Sequence, residues 1–265
     1  MTLTLTEAES EIEKAMRRAG SALLSFWRPD EKNKDTLGVE KKSDGSLVTK
    51  ADFASNEILV GALQSRFPND GILSEEIPME DTLRTLSRVW IIDPLDGTQS
   101  FVHGNDDFSI LVALTVARHS ELGYMYFPAR EQFAIARKGS GAWLNAKEMR
   151  VSQHTSLREK SVYYRNFQPT SPSLCFDKNM DSGCAFLMVA SGVFDGLIIK
   201  IVSHREWDLA APAVVVEESG GKVTNEFGEA VRFEPGKMNC RYFVASNGAA
   251  HEQLLGMIPP EDRVP

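Results

Sequence analysis

Apolar side chains repeat every three to four residues in two segments near the start of the chain. The first segment is Ile12–Phe26 and the second is Ile58–Leu63, which is followed by Pro68. This period places the apolar side chains on one face of a helix. Thr6 and Glu9 precede the first segment with the spacing of a capping box. The pattern therefore predicts two amphipathic helices, the second ending before Pro68.

Strand patterns follow from residue 71 onward. Two short apolar runs, GILSEE and VWIIDPLD, end in acidic residues, and FSILVALTVA, ELGYMYF and EQFAIARKG follow with turn residues between them. Runs of this length separated by turns are typical of antiparallel strands. Beyond Val151 the pattern changes to helices, GCAFLMVASG and WDLAAPAVVVEESGG, among the strand-like runs DGLIIKI, KVTN and RYFVASN. That alternation indicates a parallel or mixed second sheet.

Composition and charge narrow the function classes. The chain has 265 residues, 42% of them hydrophobic, and a net charge of −8, which argues against a nucleic-acid polymer or an acidic membrane as partner. Its three cysteines have no metal-ligand spacing, so we expect a reduced compartment. The N-terminal residues lack a signal-peptide pattern, and no apolar run reaches transmembrane length. We therefore expect a cytoplasmic protein.

Acidic residues stand where predicted strands end and helices begin. Glu75 ends one strand, Asp93 and Asp96 end another, and Asp52 and Asp208 begin helices. Each acid taken alone is more often structural, since an Asp that caps a helix is worth about 1 kcal/mol and Asp-Gly is usually a turn. Together they favour a site, because strand ends and helix starts are where α/β layers open.

The spacing around Asp93 points to a cation. Two carboxylates three residues apart on a proline-stiffened turn repel each other unless a cation lies between them. An all-oxygen ligand set suits Mg²⁺ better than zinc. Gly97 and Thr98 come next and open a helical turn, whose N–H groups can hold a phosphate. The sequence thus predicts a magnesium-dependent phosphate-ester site.

Four segments in this order carry a family resemblance: GSLVTKAD, ILSEE, WIIDPLDGTQSF and EWDLAAP. The set resembles the inositol monophosphatase family of magnesium-dependent, lithium-sensitive phosphatases. The resemblance implies an α+β or α/β fold, a layered αβαβα sandwich, and assembly as a homodimer. It also implies an N-terminal α+β part, residues 1–150, with most metal ligands, and a C-terminal α/β part, residues 151–265, with substrate contacts and Asp208.

The resemblance further implies site residues and two or three Mg²⁺ ions. The implied ligands of the first ion are Glu75, Asp93 and the carbonyl of Leu95, and those of the second are Asp93, Asp96 and Asp208. Glu75 would also bind a weaker third ion and orient the attacking water. Thr98 and Asp52 resemble the hydrogen-bonded pair that activates this water.

Substrate choice is less clearly encoded. Inositol-binding members of the family carry an acid seven residues before the WD aspartate, where this chain has Ile201. The basic residues Lys200, His204 and Arg205 are close by and can read a second phosphate, although a solvent-facing role is about equally expected for each. Asp181 can bind a substrate hydroxyl. The predicted substrate contacts are therefore Asp96, Gly97, Thr98, Asp181, Lys200 and Arg205.

Several functions stay open. The leading one is a phosphatase of a small phosphorylated metabolite, and the alternative is a 3′,5′-bisphosphate nucleotidase. A histidinol-phosphate or fructose-bisphosphate phosphatase ranks below these. An inactive regulator that keeps the fold is disfavoured, because the complete set of acids and Thr98 are present.

Overall fold

The computed structural model describes residues 6–29, 37–43, 45–176 and 180–263. The helices in this part of the chain are α1 (Glu7–Phe26), α2 (Lys50–Arg66), α3 (Thr98–Val102), α4 (Ser182–Ala190), α5 (Glu206–Glu218) and α6 (His251–Leu255). Among the described helices, none combines the length and the apolar character needed to cross a membrane.

The strands form a large sheet, a small sheet and one short hairpin. The hairpin is β1 (Glu40–Lys41) with β2 (Leu47–Val48). The large sheet contains β3 (Gly71–Ser74), β4 (Arg88–Asp96), β5 (Ser109–Val116), β6 (His119–Phe127), β7 (Gln132–Arg137), β8 (Gly141–Leu144) and β9 (Lys147–Glu148). The small sheet contains β10 (Val162–Arg165), β11 (Gly196–Lys200), β12 (Lys222–Thr224) and β13 (Tyr242–Ser246).

The two predicted N-terminal helices are confirmed. Each begins with a capping box, Thr6 with Glu9 at α1 and Thr49 with Asp52 at α2. The two helices pack against one face of the large sheet, where alternate β4 residues such as Trp90 and Ile92 are buried. A well-packed core therefore holds the carboxyl end of β4, which carries Asp93 and Asp96.

The large sheet keeps chain order from β3 to β9. Its first pair, β3 with β4, is parallel, and the remaining pairs are antiparallel. The antiparallel run predicted from the sequence is thus confirmed. Because β3 and β4 run in the same direction, the carboxyl ends of both strands lie at one edge of the sheet. Ser74 pairs with Ile92, so the next residues, Glu75 and Asp93, are neighbours in space.

The small sheet is mixed, as the alternating pattern predicted. Its order is β10-β11-β13-β12, with a parallel β10–β11 pair and antiparallel pairs elsewhere. Strand β10 was missing from the sequence prediction. The strand has only four residues and ends in the charged Arg165, so its sequence shows no hydrophobic alternation that would predict a strand.

Five layers follow from the buried faces. Helices α4 and α5 lie between the two sheets, and α6 covers the outer face of the small sheet. Contact between α5 and the large sheet is close, since a Cβ added at Gly123 would lie 2.4 Å from Cγ1 of Val214. The order helix, sheet, helix, sheet, helix is the αβαβα sandwich expected from the resemblance.

Candidate active site

Three buried or half-buried carboxylates meet at the carboxyl end of β4. Asp93, Asp96 and Asp208 each present an oxygen within 4.8 Å of the others. The first two come from one strand and the third from the start of α5, more than a hundred positions later in the chain. The structure thus brings together residues that the sequence placed on separate elements.

A bulge in β4 aims its two acids at this point. Asp93 pairs with Leu111 and Asp96 with Ser109, so the β4–β5 register shifts between them. The N–H of Leu95 donates to Oδ1 of Asp93 at 3.0 Å. Bulges often redirect side chains at active sites, and here the extra residue lets both carboxylates point the same way.

Backbone and hydroxyl donors hold the acids in place. Oδ2 of Asp96 accepts from the Ser109 hydroxyl and from the Gly183 N–H, both at 3.1 Å. Oδ2 of Asp208 accepts from the Arg205 N–H at 2.5 Å at the start of α5. These contacts fix the carboxylates before any ligand arrives.

The electrostatics of the group favour a cation. Burial raises the pKa of Asp93 well above its usual range, and the charges of Glu75, Asp96 and Asp208 raise it further. Burial likewise raises the pKa of Asp96. Carboxylates that repel each other in a buried place are stabilised by a positive ion between them. Since every potential ligand atom is a carboxylate oxygen, the group fits a hard divalent cation such as Mg²⁺.

Glu75 lies beside this group and has a different partner. Its N–H donates to the carbonyl of Ile92 at 3.1 Å, which extends the β3–β4 pairing to the residue before Asp93. Its Oε1 accepts from Nζ of Lys42 at 2.7 Å, and the same ammonium contacts Oε1 of Glu76 at 2.6 Å. Glu75 is thus near the three acids but bound to a lysine.

A threonine connects the acids to α2. Oγ1 of Thr98 lies 3.0 Å from the Leu95 carbonyl and 3.3 Å from Oδ1 of Asp52. The other oxygen of Asp52 accepts two hydrogen bonds from Thr49, at 2.6 and 2.8 Å. Burial raises the pKa of Asp52 to about 7, despite the opposing hydrogen bonds from Thr49. The Thr98–Asp52 pair expected from the resemblance is therefore formed.

Two of the three acids, Asp96 and Asp208, line a cavity of about 650 Å³ together with Glu75. Gly97 turns the chain from β4 into α3 with φ of +82°, a left-handed conformation that L residues rarely adopt. Asp181 also lines the cavity and lies close to Gly97, and its buried Oδ1 has no hydrogen-bond partner in the described part of the chain. A neighbouring cavity of about 1360 Å³ shares Asp181, Gln99 and Arg165 with the first.

The basic wall of the cavity differs from the predicted one. Arg205 lines the cavity as predicted, and Arg165, from the end of β10, joins it. Lys200 is directed elsewhere: Nζ forms an ion pair with Asp262 at 2.8 Å and is not among the described residues that line the cavity. Burial lowers the pKa of His204 to about 4, with the charges of both arginines adding to the effect, so this ring is neutral.

A profile described as the inositol monophosphatase family matches residues 5–260 of this chain. The chain belongs to the inositol monophosphatase family.

Two relatives and one solved structure illustrate the range of this family. The chain is 32% identical to a "Fructose-1,6-bisphosphatase/inositol-1-monophosphatase" of Thermotoga maritima, over 92% of this chain and 93% of the relative. It is 32% identical to a "Histidinol-phosphatase" of Chlorobaculum parvum, over 77% of this chain and 80% of the relative. A solved "IMPase/NADP phosphatase complexed with NADP and Ca2+" superposes with a TM-score of 0.81 at 24% identity, over 98% of each chain.

The two relatives are named for phosphatase activity on small phosphorylated substrates, and solved structures of similar proteins contain Ca²⁺ or Mg²⁺. This chain is accordingly a phosphoric monoester hydrolase of that family. The relatives are named for different substrates, so membership in the family does not identify the substrate of this chain.

Sequence reasoning missed three residues that shape the site. Lys42 lies in a charged turn that carried no chemical signal. Arg165 lies at the end of the unpredicted strand β10. A prediction that β10 pairs in parallel with β11 would have placed Arg165 at the cavity. Gly183 looked like an ordinary helix residue, but its N–H bonds a carboxylate of the acid group.

Proposed function

We propose that this protein is a magnesium-dependent phosphomonoesterase whose substrate is a small phosphorylated metabolite with a second anionic group. The observation that carries the proposal is the convergence of Asp93, Asp96 and Asp208 within 4.8 Å, beside a cavity lined by Asp96, Asp208 and Thr98. An acid group of this kind without a cation is strongly repulsive.

The ligand set follows from position. Asp93, Asp96 and Asp208 would hold one divalent ion, and Glu75 with the Leu95 carbonyl would extend the set around Asp93 to a second or third. When bound, divalent ions neutralise the phosphate and make a water molecule more acidic. The remaining work is that of this chain's own residues.

Thr98 and Asp52 orient the attacking water. The Thr98 hydroxyl has one proton and two acceptors within reach, Oδ1 of Asp52 and the Leu95 carbonyl. When the Thr98 hydroxyl donates its hydrogen bond to Asp52, the lone pairs of Oγ1 can accept a hydrogen bond from a water molecule. This bond directs the oxygen of that water molecule toward the phosphorus. Because the pKa of Asp52 is raised to about 7, its carboxyl group can also take up a proton near neutral pH.

The bond changes are those of a single displacement. Water attacks phosphorus in line, the P–O bond to the alcohol breaks, and the alcohol leaves with a proton. No side chain needs to form a covalent phosphoenzyme. The Gly97 turn has no room for a side chain, since a Cβ there would lie 2.7 Å from the Asp107 carbonyl and 3.0 Å from Cγ of Asp181.

The charge of the cavity wall supports a substrate with two anionic groups. Arg165 and Arg205 both line the cavity, and in the described part of the chain neither forms an ion pair. Guanidinium groups bind phosphates through charge-assisted hydrogen bonds. Ile201, at the position of the ring-binding acid, packs against the core and offers no carboxylate for inositol hydroxyls. A 3′,5′-bisphosphate nucleotidase meets these conditions better than an inositol monophosphatase.

Phosphate release from a substrate panel tests the proposal. The panel contains inositol monophosphate, adenosine 3′,5′-bisphosphate, fructose 1,6-bisphosphate and histidinol phosphate, each with Mg²⁺ and with EDTA. We expect turnover only with Mg²⁺ and the highest kcat/KM for a bisphosphate. Equal turnover in EDTA would reject the metal mechanism, and a preference for inositol or histidinol phosphate would reject the substrate class. Lithium sensitivity and a homodimer stay predictions from the family resemblance, and a cytoplasmic location stays a prediction from the sequence.

A further inference from the structure

Lys42 binds two acids at the edge of the active site. Its Nζ lies 2.7 Å from Oε1 of Glu75 and 2.6 Å from Oε1 of Glu76, and its side chain is only 22% exposed. The carboxylate of Glu76 is nearly buried, at 3% exposed. A lysine bound to two acids at such distances neutralises charge that the fold would otherwise leave uncompensated.

The backbone around Lys42 holds the ammonium in place. The Lys42 N–H donates to the Ser46 carbonyl at 2.9 Å, and the Lys42 carbonyl accepts from the Gly45 N–H at 2.9 Å. Lys42 directly follows β1, and its ammonium group reaches Glu75, the residue after β3. The acids are fixed from their side by the bond from the Glu75 N–H to the Ile92 carbonyl.

The contact matters because Glu75 belongs with the other acids. The charge of Glu75 raises the pKa of both Asp93 and Asp208, so its carboxylate is within electrostatic reach of each. Even so, the group of carboxylates within 4.8 Å of one another contains Asp93, Asp96 and Asp208 and leaves Glu75 out. Glu75 therefore satisfies its charge with an ammonium group of the same chain.

A divalent ion and an ammonium group compete for one carboxylate. A positive charge a few ångströms from a bound cation weakens its binding, as like charges do for protons. The ammonium group has a second acid, Glu76, to which it stays bound if Glu75 turns away.

We propose that Lys42 is a tethered cation that takes the place of a metal ion at Glu75, so that a divalent ion binds through Glu75 only by displacing the ammonium group toward Glu76. The inference rests on the metal site of the proposed function. It adds that the chain itself sets the metal concentration at which Glu75 becomes a ligand.

Calorimetric titration of the full chain with Mg²⁺ alone tests this inference. In Lys42→Gln, we expect Mg²⁺ to bind about tenfold more tightly or better at the Glu75-dependent site, because a cation within about 4–6 Å of a carboxylate shifts its proton binding by about 1–3 log units and should oppose Mg²⁺ in the same way. The melting temperature of the metal-free variant should fall, since Glu75 and Glu76 lose their counter-ion. Lys42→Arg, which keeps the charge, should resemble the wild type in both measurements.

Two controls make the result specific. Lys50→Gln removes the same charge at an exposed position in the first turn of α2 and should change neither measurement. In a Glu75→Gln background, Lys42→Gln should no longer alter Mg²⁺ binding. Lys42→Met keeps the aliphatic stem and replaces the Gln variant if that one unfolds.

The opposite result is equally clear. If Mg²⁺ affinity falls or stays the same in Lys42→Gln and Lys42→Met, Lys42 positions Glu75 for the metal or is indifferent to it, and the inference is wrong. Absence of Mg²⁺ binding in the wild type would instead reject the metal site of the proposed function. The two failures are therefore distinguishable without an activity assay.

Discussion

Gly183 donates its N–H to Oδ2 of Asp96 at 3.1 Å, and a Cβ added to Gly183 would lie 2.4 Å from the same oxygen. The Ser109 hydroxyl, which also binds this oxygen, would be 2.7 Å from that Cβ. Helix α4 can thus approach the acid group only because residue 183 has no side chain. The position of one metal-ligand candidate depends on this close contact between β4 and α4.

Gly183→Ala should damage the site without the usual benefit of alanine in a helix. Alanine is favoured over glycine in helices by about 1 kcal/mol, but here the methyl group must displace Asp96. We expect Mg²⁺ affinity and phosphate release both to fall by about tenfold or more, as for other residues that hold metal ligands in place. Calorimetry and a turnover assay measure the two effects.

Gly61→Ala is the matched control for that variant. Gly61 also lies within a helix, α2, and a Cβ there would have nothing within 4 Å. We expect this variant to melt slightly higher and to bind Mg²⁺ as the wild type does. If both alanine variants behave alike, the contact between Gly183 and Asp96 has no role in the site.

The metal-free protein should lose stability as pH rises from 5 to 8. The folded-state pKa of Asp52 is raised from 3.8 to about 7 by burial, and burial raises those of Asp93 and Asp96 as well. The folded state therefore keeps protons that the unfolded state releases above about pH 4, and stability falls through this window. One pKa unit corresponds to about 1.4 kcal/mol, so a fall in Tm of about 5 °C or more is expected in EDTA.

Mg²⁺ and Asp93→Asn provide the tests of that pH dependence. Mg²⁺ added at pH 8 should restore the lost stability, because a cation replaces the protons. Asp93→Asn removes one repelling charge, so the metal-free variant should melt at the wild-type temperature or above while phosphate release is nearly abolished. A melting temperature that rises with pH in EDTA would contradict the assigned pKa directions.

The sequence predicted the parts of the site that depend on local spacing. The strand end at Asp93, the turn at Gly97 and the helix start at Asp208 each follow from short-range patterns, and the family resemblance joined them into one site. Lys42, Arg165 and Gly183 could not be predicted in this way. Their roles depend on contacts between elements far apart in the chain, such as the 3.1 Å bond from α4 to β4.

Lys200 shows the same limit from the other direction. It stands near Arg205 in sequence, but β11 ends between them, and its side chain pairs with Asp262 beyond the small sheet. Proximity in sequence therefore predicted a basic cluster that included Lys200, which does not line the cavity. The parallel pairing of β10 with β11 instead places Arg165 there.

Thr98→Ala should lower turnover strongly and leave metal binding nearly intact. Oγ1 of Thr98 contacts Asp52 and the Leu95 carbonyl, and it is not one of the three converging carboxylates. Loss of the hydroxyl removes the group that orients water, which is worth about 10²–10⁴ in rate for comparable proton-transfer groups. Thr98→Ser, which keeps the hydroxyl, is the control and should retain most activity. A collapse of Mg²⁺ binding in the alanine variant would show that Thr98 acts on the metal instead.

The last prediction concerns the second anionic group of the substrate. Arg165 and Arg205 line the cavity, and neither forms an ion pair within 4 Å in the described part of the chain. Arg205 donates from Nη1 to the His204 carbonyl at 3.2 Å, and the other guanidinium N–H groups can still bind a phosphate. A hydrogen bond to a charged group is worth about 1.5–3 kcal/mol. Arg205→Ala and Arg165→Ala should therefore each lower kcat/KM for adenosine 3′,5′-bisphosphate by about 10- to 100-fold, and by less than about twofold for inositol monophosphate. Lys200→Ala removes an equal charge from the ion pair with Asp262 and should affect neither substrate. Equal losses on both substrates would assign the arginines to the reacting phosphate, and loss only in the Lys200 variant would restore the cluster predicted from the sequence.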